Sequence, residues 1–180
     1  MNLKNIFMHL RLVLQHKWRV FINCTKCGLP WRGFMHDMSK FSPVEFFESA
    51  KYYQGNRSPI TASRIDIGYS EAWLHHKGRN KHHTEYWFDL ECDVQPLMPY
   101  QFMVECVCDK LAATKTYSGK AYTPAKAIEH WERYGNKVAG HPKTMEFIGK
   151  VFYDINELGE KRVLNKKYMK RTYAEICGEG

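Results

Sequence analysis

The stretch Gly33-Phe34-Met35-His36-Asp37-Met38-Ser39-Lys40 sets an imidazole next to a carboxylate, directly after the apolar run Trp31 to Met35. A polar group turned inward here must be hydrogen-bonded, paired with a charge or bound to a metal. A neutral imidazole nitrogen beside a carboxylate oxygen is a normal ligand pair for Zn, Mn or Fe. A surface turn can also hold a His-Asp pair by chance, so the doublet needs supporting groups elsewhere.

Three other places offer such groups. Residues from about 3 to 23 contain no Gly or Pro, and Ile6, Leu10, Val13, Leu14, Val20 and Phe21 recur at helical spacing. On that helix His9 and His16 fall two turns apart at one edge of the apolar arc, so His16 can reach the interior. A core-edge histidine satisfied by a neighbour is the plainer reading of His16 taken alone. The second place is Trp73-Leu74-His75-His76-Lys77-Gly78-Arg79-Asn80-Lys81-His82-His83, which holds four of the nine histidines. A continuous helix would align His76 with His83, whereas a break at Gly78 would bring the two pairs together through a turn. His75 is the one expected to point elsewhere. A His-rich surface tract that binds metal loosely is the alternative. Lys77, Arg79 and Lys81 among them suit phosphate oxygens better than a bare structural metal. The third place is Asp109, one turn after Glu105 in a helix predicted from Pro99 to about Tyr117. Phe102, Cys106 and Ala113 flank it, and a carboxylate among such side chains needs a partner: a lysine, or a metal already held by histidines.

Taken in chain order, His16, His36-Asp37, the His75–His83 group and Asp109 resemble the HD-domain superfamily of metal-dependent phosphohydrolases. Its signature is a His, an adjacent His-Asp and a distant Asp on separate helices around a divalent metal. His36-Asp37-Met38-Ser39-Lys40 is similar to the His-Asp-x-x-Lys variant of members with two metals, which carry extra histidines before the last Asp. The resemblance covers about half the chain, from His16 to Asp109. The Trp73–His83 stretch is also similar to an uncharacterised bacterial and phage branch. Many monometallic nucleotidases carry Glu where this chain has Lys40, so their mechanism does not transfer.

The resemblance implies an all-α fold in which His16, His36, Asp37 and Asp109 hold a first metal. Asp37 would bridge to a second ion, completed by one or more of His76, His82 and His83. The ions would be one or two of Mn, Fe, Co, Zn or Mg. Asp37 and Lys40 would carry the catalytic roles, and Lys40, Arg79 or Lys81 would bind phosphate. The activity implied is hydrolysis of a nucleotide or other phosphate ester by metal-activated water. An HD-type di-iron oxygenase and a non-enzymatic basic helical module that binds nucleic acid are the two rival readings.

The elements that must position these groups are legible from their punctuation. Gly28 ends the first helix and Pro30 opens a second, expected to carry His36 and Asp37. Ser42-Pro43-Val44-Glu45 reads as N-cap, first-turn proline and third-position glutamate of a helix to about Tyr53. A loop spans 55–59, and 60–69 fits helix or loop equally. Thr123-Pro124 starts a helix to about Tyr134, and Gly140-His141-Pro142 precedes one to about Leu158. After Gly159 a short basic helix runs to about Glu175. This amounts to eight or nine helices in one domain over 1–180, with a motif-bearing core at about 3–120 and helices 123–176 as scaffold.

Composition sets the bounds. The 180 residues are 44% apolar and 26% charged, the balance of a globular chain rather than a disordered one. A net charge of +8 calls for an acidic partner: a phosphorylated small molecule, a nucleic acid or an anionic surface. Lys161, Arg162, Lys166, Lys167, Lys170 and Arg171 crowd the C-terminal segment, as a nucleic-acid arm or simply a solvated helix face. No apolar run is long enough to span a bilayer, and Met1–Phe7 lacks the features of a signal peptide, so a cytoplasmic protein without a membrane partner is expected. Cys24-x-x-Cys27 has no second pair at zinc spacing, so reduced thiols are expected.

Overall fold

A computed structural model describes residues 2–134 and 140–178. Helix α1, Leu3–Lys26, begins where the Asn2 side chain accepts from the Lys4 N–H, and it ends at Cys27, after which Gly28 adopts φ +79°. Its core-facing stripe is His9, Val13, His16, Val20, Asn23 and Cys24. This differs from the apolar arc expected from the sequence. Leu14 is exposed, and Ile6, Leu10 and Phe21 are only half-buried. The helix is rotated towards its polar residues because two of them, His16 and Asn23, have partners on another helix.

Helix α2, Pro30–Met35, packs across the end of α1. A Cβ on Gly33 would stand 2.8 Å from the Cys24 Cβ and 2.9 Å from the Phe21 Cα, so only glycine permits this approach. The sequence suggested that this helix carries His36 and Asp37, but it stops before them. His36 is extended (φ −52°, ψ 132°), Asp37 is left-handed (φ 52°, ψ 35°), and a 3₁₀ helix, Met38–Phe41, follows. Neighbouring side chains on a helix diverge by about 100°. The turn instead lets both point inward.

Helix α3, Pro43–Lys51, has Ser42 as its N-cap, accepting from the Glu45 N–H. The stretch the sequence left open is helix α4, Pro59–Ile67, closed by Gly68 at φ 83°. Helix α5, Glu71–Lys77, starts from Ser70 and ends at Gly78. A turn and a 3₁₀ helix, Thr84–Trp87, lead away from it. Helix α6, Tyr100–Ser118, is buried along most of its length and lies against both α1 and α8. After a 3₁₀ turn at Gly119–Ala121 come α7, Pro124–Tyr134, and α8, Pro142–Leu158. The single basic helix expected after Gly159 is two, α9 (Glu160–Val163) and α10 (Lys166–Cys177), because Asn165 caps the second through the Tyr168 N–H. The basic residues there are exposed, while Val163, Leu164, Tyr168 and Met169 are buried.

Val104, Val107 and Leu111 of α6 meet Phe147, Val151, Phe152 and Ile155 of α8 in one core, which Val20 of α1 and Met169 of α10 also join. The protein is thus all-α and a single compact domain, with ten α-helices and no strand among the described residues.

His9 sits at the edge of this core, its ring 5.2 Å from Phe46 and 6.4 Å from Tyr53. Burial first, and the Lys40 charge second, lower its pKa to about 4. The unfolded chain binds this proton below about pH 6.5, whereas the folded chain resists it down to about 4. Stability attributable to His9 therefore falls as pH drops through that window. His9→Phe is expected to remove on the order of 2 kcal/mol of the loss between pH 7 and 4.5, measured by urea unfolding of both proteins at both pH values.

Candidate metal centre

The left-handed turn at Asp37 faces two groups of donors. Among the described residues Asp37 is the only non-glycine with positive φ, a conformation Asp tolerates better than most residues. Lys17 holds the turn by donating from Nζ to the carbonyls of His36 and Phe34. Asp37 Oδ2 lies 3.9 Å from His16 Nε2 and 3.2 Å from His36 Nε2. Asp109 Oδ1, from α6, lies 2.9 Å from His16 Nε2 and 3.4 Å from His36 Nε2. The other oxygen, Asp37 Oδ1, lies 3.4 Å from His76 Nε2 and 3.4 Å from His82 Nε2.

Two sets of four donors result, with ligand atoms within 4.8 Å of one another in each: His16, His36, Asp37 and Asp109, and Asp37, His76, His82 and His83. Asp37 belongs to both, with one oxygen turned to each. Donors about 2.0–2.2 Å from a common ion stand roughly 3–4.4 Å apart, and these separations fall largely in that range. His16 Nε2, His36 Nε2, both Asp37 oxygens, His82 Nε2 and His83 Nε2 are buried without a well-aligned hydrogen bond: apart from the Lys40 ammonium at Asp37 Oδ2, they face chiefly one another and Asp109. Orphaned buried polar atoms are rare and call for an explanation. Here six incompletely bonded atoms converge, and ions seated between them would satisfy them. The donors are imidazole and carboxylate with no sulfur, which suits Zn, Mn, Fe or Co.

Glutamates orient the rings from behind. Glu105 Oε1 is 3.0 Å from His36 Nδ1 and 3.4 Å from His82 Nδ1, and Arg32 donates to Glu105 Oε2. Glu45 Oε2 is 2.7 Å from His76 Nδ1, while Glu45 Oε1 is 2.7 Å from His75 Nδ1. A carboxylate on Nδ1 fixes the ring and leaves Nε2 free for a metal. Asn80 closes the turn after α5 by donating to the His76 carbonyl and to Ser39 Oγ, which brings His82 and His83 back under His76.

The electrostatics agree with a site short of positive charge. Burial opposes ionisation of Asp37, but His36, Lys40 and His76 outweigh it and hold the carboxyl well below its usual range. Burial also opposes a charged His36, yet Asp37 and the bonds to Asp109 and Glu105 raise it well above an ordinary imidazole. Burial, then neighbouring cationic groups, keep His16 and His83 low. Lys40 Nζ lies 2.6 Å from Asp37 Oδ2.

A cleft of about 640 Å³ opens on the donors, lined by His16, His76, His83, Asp109 and Lys40. Arg57, Arg64, Lys110, Lys126 and Arg133 also line it, from four separate parts of the chain. Arg79 and Lys81 lie elsewhere, on a smaller opening of about 420 Å³ that reaches Asp37, His82 and Glu105 from the other side. His75 is turned to Glu45 and belongs to neither donor set.

Reasoning from sequence missed the glutamates and the cleft's cations. Glu105 was visible only as a neighbour of Asp109 one turn away, a spacing that puts both on one face. Glu45 reads as a capping glutamate, but its carboxylate serves His75 and His76 instead. Nothing local marks Arg57, Lys110 or Arg133, which tertiary packing brings together.

The fold and centre define a helical protein with a buried His/Asp site of two four-donor sets sharing one carboxylate. The chain belongs to DUF5662, a family of unknown function, whose model matches residues 5–154. That span includes every donor of both sets. No curated protein and no solved structure matches the chain.

Proposed function

We propose that this protein is a metal-dependent phosphohydrolase of the HD-domain kind, acting on a nucleotide or other phosphate ester. The observation that carries the reading is Asp37, whose two oxygens face separate sets of histidine and aspartate donors beside a cationic cleft. His16, His36, Asp37 and Asp109 would hold one divalent ion, and Asp37, His76, His82 and His83 another. Such ions acidify bound water towards neutral pH and polarise a phosphoryl oxygen.

The chain's own residues do the rest. Glu45 and Glu105 keep the rings of His76, His36 and His82 in register, so the donors are set before substrate arrives. Lys40, at the carboxylate and on the wall of the main cleft, offers an ammonium to phosphate oxygens. Lys40, Arg57, Arg64, Lys110, Lys126 and Arg133 outnumber the acids of the cleft, Glu45, Glu85, Asp109 and Glu129, and this excess of cations would attract the remainder of a phosphorylated substrate.

Phosphate release from a panel of nucleotides and sugar phosphates, by protein reconstituted with Mn, Fe, Co or Zn, tests the reading. Lys40→Ala should keep its metal and lose about 10- to 100-fold in kcat/KM, the range for removing one charged hydrogen bond. Turnover by none of the four forms, with O₂ uptake by the ferrous form, would favour the oxygenase instead. Chelator-indifferent, strongly salt-dependent nucleic-acid binding in an inactive protein would favour the binding module.

A further inference from the structure

The outer face of the N-terminal helices is apolar where a surface is normally polar. Leu14 and Trp18 of α1 are exposed, as are Trp31 and Phe34 of α2, stacked at 5.6 Å, and Met38 and Phe41 of the 3₁₀ turn. Trp31 is 70% exposed and Trp18 62%. The face is continuous. Trp18 stacks on Phe21 at 5.6 Å, Gly33 of α2 lies on the Phe21 backbone, and Lys17 runs along the seam to Phe34, Met38 and Phe41. These six side chains expose on the order of 700 Å², beyond the largest patch of a typical monomer.

Charge says what covers it. Residues 1–44 contain seven lysines and arginines and a single acid, Asp37. Asp37 is buried and committed to the donor sets, so this part of the surface carries no negative charge. Lys4, Arg11 and Lys26 are exposed along α1, the helix that carries Leu14 and Trp18. A second copy docked about a two-fold axis would set these cations against themselves with no acid to pair. A nucleic acid would use the cations, but Leu14 and Met38 offer nothing to a base or a phosphate. An anionic bilayer uses both. Trp and Phe rings sit at the headgroup boundary while lysine and arginine reach the lipid phosphates.

We infer that this face, built by α1, α2 and the Met38–Phe41 turn, docks the protein peripherally on an anionic phospholipid surface. Docking would bring the smaller opening close to the bilayer, because Met35 and Met38 also line it. The inference is independent of the reaction proposed above.

Vesicle flotation of the full-length protein tests it. Wild type should float with phosphatidylcholine vesicles containing phosphatidylglycerol and at least about tenfold less with phosphatidylcholine alone, since both apolar burial and surface charge are needed. Trp18→Ser combined with Trp31→Ser should cut flotation at least about tenfold, with helical content and melting temperature unchanged because both rings are exposed. Equal flotation of the variant would overturn the inference. So would no flotation of wild type, most tellingly if light scattering finds a dimer that the double substitution dissociates.

Discussion

Asp37→Asn is expected to abolish phosphate-ester hydrolysis and to lower metal content sharply while leaving the fold intact. Asp37 supplies one oxygen to each donor set, so its loss weakens both sites together. An amide is a neutral and poorer ligand, and removing several kcal/mol of metal-dependent stabilisation costs at least about 10³-fold in rate. Asn is the cleaner choice because the residue stands at φ 52°, which Asn tolerates and Ala does not. Asp37→Ala should show the same loss of metal, with about 1–2 kcal/mol of added backbone strain. In the metal-free state Asp37 is the counter-ion of His36 and Lys40. Its neutralisation lets His36 shed its proton and Lys40 turn to solvent, so metal-free Asn protein should melt close to wild type. If Asp37 were only a structural ion pair, metal content would stay the same and stability alone would fall. Elemental analysis beside a melting curve separates the two.

Metal removal carries the second large effect. In the metal-free fold these buried atoms are held only by ion pairs among themselves and with Lys40, without well-aligned hydrogen bonds. Binding to the folded state alone adds about 2.7 kcal/mol per site at a hundredfold excess over Kd. For two sites in a chain of this size the melting temperature should rise by about 10–20 °C when Mn or Zn is restored to chelator-treated protein. Histidine ligands must be neutral to bind, and in the metal-free state Asp37, against the effect of burial, raises the proton affinity of His36 well above that of an ordinary imidazole. Binding therefore releases a proton, and the rise should be larger at pH 8 than at pH 6. Asp37→Asn should show little of it at either pH. A melting temperature indifferent to metal in wild type would contradict the two-site reading.

The residues of the candidate site stand out in the sequence because ionisable side chains are seldom fully buried unless paired. An adjacent His-Asp, four clustered histidines and an aspartate between Cys106 and Ala113 each need a partner once turned inward. Helix boundaries were legible for a related cause: Ser42, Pro30, Gly28 and Pro142 satisfy or omit backbone groups locally. What depends on the neighbour across the interface was not legible. The apolar arc of α1 pointed to one face, but His16 needed Asp109 and the helix turned accordingly. His36 and Asp37 looked like a helix continuation because nothing local reveals that Lys17, nineteen residues before His36 in sequence, holds a left-handed turn there. Glu45 reads as a capping residue and Glu105 only as a neighbour of Asp109 one turn away, because the rings they hold come from other parts of the chain.

The central claim, that Asp37 bridges two ions, is most directly tested by anomalous diffraction from crystals grown with manganese. Two peaks should appear, one among His16, His36, Asp37 and Asp109 and the other among Asp37, His76, His82 and His83. Their separation should be about 3.5–4 Å, as in other two-metal sites. No peak at Asp37, or peaks only on the exposed surface, would contradict it.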